Sequence, residues 1–217
     1  IQKQFSKTCK KKEDCWKNQS IVKRLNDVEI NKYTFKPEYP KEWRKNKHTW
    51  LNTYDILRVM KQYEKKHDEF KFIGPVPIDF DYKPHPGTCI VNELCKINLT
   101  QLLKKGIHKL GVIFNLDPHD KPGSHWVALY SDVKDGGVYY FDSYGVDPPK
   151  EVKDLMNRLT KQGKNHNNKM NADVNKVRHQ FKNSECGVYS MHFIINFIIF
   201  IINIDSYPMS SWSCTNI

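Results

Sequence analysis

The sequence predicts an α+β fold, a small central sheet flanked by helices, and three observations predict it. Apolar residues recur at helical spacing in TWLNTYDILRVMKQYEKKH and again in PPKEVKDLMNRLTKQ. Between them, LGVIFNL, HWVALYS and GVYYFDSYG are runs of β-formers, the last two joined by the turn-rich DVKDG. A very apolar helical run then begins at NSECGVYSMHF, close to the chain's end. With 217 residues, 39% of them hydrophobic, the chain suits one domain carrying an appendage rather than two domains.

Taken in order, residues 1–40 read as a basic N-terminal arm. Eight basic residues fall in the first twenty-four with no clean apolar period, and the prolines of KPEYPKEW punctuate its end. Residues 41–217 read as the folded domain. Its first helix places Leu51, Ile56, Leu57, Met60 and Tyr63 on one face. Gly74, Pro75 and Pro77 forbid a helix in DEFKFIGPVPIDFD and leave it extended. A short helix fits NLTQLLKKGIHK, and strands fit Leu110–Leu116, His125–Ser131 and Gly137–Gly145. Pro148 and Pro149 precede an amphipathic helix carrying Val152, Leu155, Met156 and Leu159. KNHNNKMN reads as an exposed loop, and VNKVRHQF as a short strand.

Composition narrows the partners. Thirty-five Lys and Arg against 24 Asp and Glu give a net charge of +11, which favours anionic partners, and nucleic acid bound through the arm is one of them. A basic nucleic-acid-binding module without catalysis is therefore the alternative from a different functional class. The longest apolar run, Phe193 to Ile204, is interrupted by Asn196 and Asn203 and fits a buried helix rather than a membrane span. IQKQFSKTCKKK lacks the apolar core of a signal peptide, so a reducing compartment, the cytoplasm or nucleus, and six free thiols are expected rather than secretion. Cys9/Cys15 and Cys89/Cys95, with His85 nearby, are spaced too widely for the usual zinc knuckle, and no metal or other cofactor is expected. The sequons at Asn18 and Asn98 have no export route to give them meaning.

Four residues could carry chemistry. Asn183 and Ser184 are good N-cap residues, which puts Cys186 in the first turn of the last helix. Unpaired backbone N–H groups and the positive end of the helix dipole there favour thiolate over thiol, although a buried core thiol is an equal reading of position alone. Gly187 leaves the sulfur's surroundings open. His125 opens a strand after a Gly/Pro loop, where an imidazole can face a cleft. If the hairpin turn centres near residue 134.5, His125 falls opposite residue 144 and Asp142 is its diagonal neighbour on the same face. Such neighbours have Cβ atoms roughly 7–8 Å apart, and an ordinary surface pair would look the same. Gln180 lies six residues before Cys186 and could aim its amide N–H at the space in front of the sulfur.

Together these residues resemble a family: the cysteine proteases that remove SUMO and other ubiquitin-like modifiers, with the adenoviral protease and the proteases of large nucleocytoplasmic DNA viruses. The matching motifs are His125-Trp126, Asp142 in YYFDSYG, Gln180, Cys186-Gly187 in NSECGVY, and an upstream Trp50-Leu51-Asn52 opening a helix. The resemblance runs from Trp50 to Ile204. It implies a papain-like fold with a central, mostly antiparallel sheet and the nucleophile at a helix N-terminus. Cys186 would be the nucleophile, His125 the general base and later acid, and Asp142 the group supporting the imidazolium. Gln180, with the backbone N–H of Cys186, would form the oxyanion hole. Trp50 and Trp126, with Asn52 and Gly187, would bind substrate as a narrow tunnel admitting only a Gly-Gly-like segment. FKFIGPVPIDFD (Phe70 to Asp81) looks more like the large-virus branch than the cellular one. The expectation is a monomeric endopeptidase with a protein substrate cut at a Gly-Gly-like site. It would process virion precursors in the host cytoplasm and virion, with removal of SUMO-like modifiers as the alternative.

Overall fold

A five-stranded sheet organises the described residues, 37–38 and 49–199, of the computed structural model. Apart from residues 37–38, the basic arm lies outside them, as do Cys9, Cys15 and the apolar run beyond Ile199. In chain order the elements are α1 (Thr53–Lys66), β1 (Phe70–Pro77), α2 (Asn92–Cys95), α3 (Leu99–Lys104), β2 (Lys109–Asn115), β3 (Trp126–Asp132), β4 (Gly137–Phe141), α4 (Lys150–Lys164), β5 (Asn171–Val174) and α5 (Cys186–Ile199). The strands lie side by side in sequence order.

The sheet is mixed rather than mostly antiparallel. β2, β3 and β4 pair antiparallel, whereas β1 and β5 are parallel to their neighbours. The reason lies in the connections. A short turn joins β3 to β4, but α2 and α3 intervene between β1 and β2, and α4 between β4 and β5, so those strands return in the same direction. Pro75 is tolerated because β1 is an edge strand whose register slips between Ile73 and Val76.

Both faces of the three central strands are covered, which is why they read as unbroken apolar runs instead of alternating ones. On one face Val112, Phe114, Val127, Leu129 and Tyr140 meet Val152, Leu155 and Leu159 of α4. On the other, α5 packs its aromatic face: Phe193 stacks on Phe141, and Phe197 on Tyr130 and Tyr139. Gly111 lets α5 approach β2, since a Cβ there would come within 2.9 Å of Ile194 and of Phe70.

Three sequence expectations need correction. VNKVRHQF is not a strand: β5 ends at Val174, and NADV, too short and polar to stand out, forms it instead. Asn175 ends the ladder, because its Nδ2 donates to the carbonyls of Asp142 and Val177, each at 2.8 Å, and draws the backbone into a turn. KNHNNKMN is only partly a free loop, for Asn167 donates to the carbonyls of Val133 and Lys134 and ties it to the hairpin turn. Cys89 and Cys95 are joined in a disulfide rather than free, the chain turning back across α2 to bring them together. Cys186 is a free cysteine.

Candidate active site

The β3–β4 ladder runs from Asp132↔Gly137 to Ala128↔Phe141. Extending that register brings His125 opposite Tyr144 with Asp142 on the diagonal, which is the pairing the hairpin arithmetic predicts. Strand β3 starts one residue later than expected, at Trp126, although the His125 carbonyl still accepts from Leu116 N at 2.9 Å. Past Phe141 the chain leaves the sheet in a turn closed by Gly145 N donating to Asp142 O at 2.9 Å. Gly145 sits at φ 73°, and a Cβ there would lie 2.8 Å from the Lys176 carbonyl oxygen, so the turn needs glycine.

That turn swings the Asp142 carboxylate onto the imidazole. His125 Nε2 donates to Asp142 Oδ1 at 2.7 Å, and Tyr144 N donates to the same oxygen at 2.9 Å. The backbone of the pair is held as well, through Asn175 Nδ2 on Asp142 O. Nε2 is engaged by Asp142, and Cys186 acts on the same ring as one of the groups that raise its pKa. Burial opposes charge on this ring. The hydrogen bond to Asp142 and then the influence of Cys186 outweigh it, raising the His125 pKa from 6.5 to about 9.

Cys186 is the first residue of α5 and is buried, 2% exposed. The helix begins at the cysteine itself, so the N-cap position falls on Glu185 rather than on Asn183 or Ser184. The sulfur nevertheless lies in the first turn, as expected. Gly187 follows at a tight spot, where a Cβ would meet Leu51 at 3.2 Å and the Trp126 ring at 3.3 Å.

Gln180 is wholly buried. Its Oε1 accepts from Ser143 Oγ at 2.6 Å, and its Nε2 donates to the carbonyl of Lys182. A carbonyl can only accept, so the NH₂ end of the amide is fixed on that side. The second N–H points to the Tyr144 hydroxyl at 3.3 Å, a long contact that an incoming oxygen can replace.

The expected substrate-binding residues divide. Trp50 and Trp126 line one cavity of about 240 Å³ with Asn52, Asn115, Pro122 and Ser124. Trp126 is nearly buried and its Nε1 donates to Leu51 O at 3.0 Å, while Trp50 is 52% exposed. The Asn52 side chain serves the helix start. Its Oδ1 accepts from Asp55 N, and Asp55 Oδ2 accepts from Asn52 N, a capping box that begins α1. Gly187 packs on Trp126 but does not line this cavity. Sequence reasoning missed Ser143, Tyr144 and Asn175. The signal for the first two was their position directly after Asp142 in FDSYG. Nothing local in the sequence marks Asn175.

A thiol at a helix start, sharing an imidazole with a buried carboxylate on an α+β sheet, defines the site class of the thiol proteases. Residues 105–200 match the family model for the Ulp1 protease family, C-terminal catalytic domain. A protein of Acanthamoeba polyphaga mimivirus, named as a thiol protease, is 36% identical over 203 residues, covering 89% of this chain and 62% of that protein. A cysteine protease of African swine fever virus is 35% identical over 95 residues, 42% of this chain and 35% of the viral protein. The chain thus spans less than two thirds of the length of either relative. The crystal structure of the African swine fever virus protease superposes with a TM-score of 0.59 at 22% identity, covering 91% of this chain and 79% of that one. A SUMO protease Ulp1 whose catalytic cysteine is oxidised to a sulfenic acid gives a TM-score of 0.50 at 15% identity, covering 83% and 84%. At those identities the structures establish the shared fold.

Proposed function

We propose that this chain is a cysteine endopeptidase that cleaves after Gly-Gly or Gly-X-Gly-like sequences in viral precursor proteins during virion maturation, in the host cytoplasm and the virion. The single observation that carries the reading is the His125 ring held by Asp142 at 2.7 Å, with Cys186 at the start of α5 acting on the same ring. In the reaction, His125 holds the proton as the imidazolium and Cys186 Sγ attacks the scissile carbonyl carbon. The oxyanion takes hydrogen bonds from Cys186 N–H and from the Gln180 N–H now aimed at Tyr144. As the C–N bond breaks, His125 gives its proton to the leaving amine, and a thioester remains on Cys186. Water then attacks that thioester with His125 as base, returning the free thiol.

Support for small residues before the cut comes from the cavity shared by Trp50 and Trp126, the two positions that the family's Trp-Leu-Asn and His-Trp motifs mark for the substrate tunnel. The viral relatives favour precursor processing. A second reading, removal of SUMO-like modifiers, is favoured by the name SUMO-1 cysteine protease borne by an African swine fever virus relative that matches 97 residues at 33% identity. Side-by-side electrophilic SUMO and ubiquitin probes and Gly-Gly-X precursor peptides separate the two. Cleavage of peptides without probe labelling supports maturation, and probe labelling supports deconjugation. Cys186→Ala is expected to abolish turnover with the fold intact by circular dichroism, and undiminished turnover refutes the nucleophile. Silence toward all substrates favours a basic nucleic-acid-binding module.

A further inference from the structure

Beside the site, four planar groups stack in a row. The Tyr144 ring lies on the His125 ring with centroids 4.9 Å apart and an interplanar angle of 25°. The Arg178 guanidinium lies over both the Tyr144 and the Phe181 rings, 5.3 Å from each centroid. Arg178 Nε donates to Gln180 O at 2.9 Å, so the guanidinium is oriented as well as stacked. Phe181 is 76% exposed, so its ring is open to solvent on the side away from Arg178's contact. The terminal nitrogens of Arg178 have no carboxylate partner among the described residues, although neighbouring Lys176 pairs with Asp147.

Where this row lies relative to the reaction follows from proton transfer. His125 must protonate the leaving amine, so the segment after the cut passes the imidazole. The row built on the His125 ring therefore borders the path of the leaving segment.

Building on the reading of Cys186 as a peptidase nucleophile, we propose that Arg178, clamped between Tyr144 and Phe181, is a specificity-determining residue that binds a carboxylate in the first three residues after the scissile bond. An Arg fork held by two aromatic faces and one backbone carbonyl has already lost much of its rotamer freedom, so little more is lost when a carboxylate docks. Phe181 supplies apolar area for the same peptide. The substrate class narrows from any Gly-Gly-X chain to one with Asp or Glu just after the cut.

The test uses matched fluorogenic peptides with Gly-Gly before the cut and Asp, Asn or Lys at each of the next three positions. The whole chain cleaves the best Asp peptide about tenfold more efficiently than its Asn counterpart, and the ratio shrinks with added salt. In Arg178→Gln the Asp/Asn ratio falls to within about twofold of one, whereas Arg178→Lys keeps part of it. A variant that merely loosened Tyr144 would slow both peptides alike and leave the ratio standing, which overturns the proposal. So does a wild-type ratio near one at all three positions. A Gly-Gly electrophile with no leaving segment runs in parallel. Labelling of Cys186 with no acidic preference sinks the role of Arg178 alone. Absence of both labelling and cleavage sinks the peptidase reading, and this proposal falls with it.

Discussion

Two imidazole–carboxylate pairs flank strand β3, and their difference separates the arrangement proposed for catalysis from a structural one. At the start of the strand His125 Nε2 meets Asp142 Oδ1 at 2.7 Å; at its end His108 Nδ1 meets Asp132 Oδ1 at 2.9 Å. Both carboxylates are buried and both accept a further backbone N–H, from Tyr144 and from Lys134 respectively. Judged by distance and burial the two are near twins. What differs is the far side of the ring. His125 has Cys186 there, a tyrosine stacked on its face and the Gln180 amide beyond, whereas His108 pairs with a carboxylate that closes the β3–β4 turn. An imidazole–carboxylate pair is thus no signature of catalysis. The nucleophile and the spare N–H donor make it one.

The largest expected effect breaks the likeness outright. His125→Ala removes the base and is expected to lower kcat by about a thousandfold or more. His108→Ala leaves turnover within about threefold while lowering the unfolding midpoint, because Asp132 loses its partner in a buried place. Parallel steady-state assays and thermal melts read both outcomes, and a comparable loss of turnover in the two variants erases the distinction between the pairs. Next in size comes Gln180→Ala, which removes an N–H donor that a buried amide holds in place. A loss on the order of a hundredfold in kcat is expected, with little change in KM. A loss under threefold takes Gln180 out of the oxyanion role.

A third prediction concerns pH. The His125 pKa is raised to about 9, so its imidazolium contributes stability that is complete below about pH 6.5 and disappears as pH rises through 9. Proton donation to the leaving amine needs the same imidazolium, so kcat/KM falls on the alkaline side near pH 9. Asp142→Asn removes the charge while keeping the shape, and the alkaline edge is expected to move down by about one unit or more. An edge that stays put means something other than Asp142 holds the proton.

These contrasts also show why some of the molecule was legible in its sequence and some was not. The hairpin could be read because strand alternation is strictly periodic: one guess for the turn centre fixed the whole register and put Asp142 beside His125. Cys186 could be read because an apolar helical run begins at it. The parallel edge strands were not legible, since β5 is held by backbone hydrogen bonds and its exposed residues carry no apolar pattern. Asn52 matched a substrate motif in sequence, yet its side chain is spent on the capping box of α1. The side chains of Ser143 and Asn175 reach Gln180 and Asp142 across 37 and 33 residues of chain, a separation at which no local pattern survives.

The smallest expected effect sharpens the comparison from the structural side. Burial works against the charge on Asp132, but its hydrogen bond to His108 and the attraction of that ring outweigh burial and lower its pKa. A lowered carboxylate pKa contributes stability that is present above the unfolded value, near 3.9, and is lost as pH falls through the folded one. Asp132→Asn keeps the volume and gives up the charge. It is expected to cost about 1–3 kcal/mol at neutral pH, read by urea denaturation, and to flatten the loss of stability below about pH 4. Turnover at neutral pH should stay near wild type, because no reacting atom lies at that end of β3. If Asp132→Asn instead moved the alkaline edge of kcat/KM as Asp142→Asn does, the two pairs would be coupled along the strand. The division between a catalytic and a structural end of the hairpin would then have to be given up.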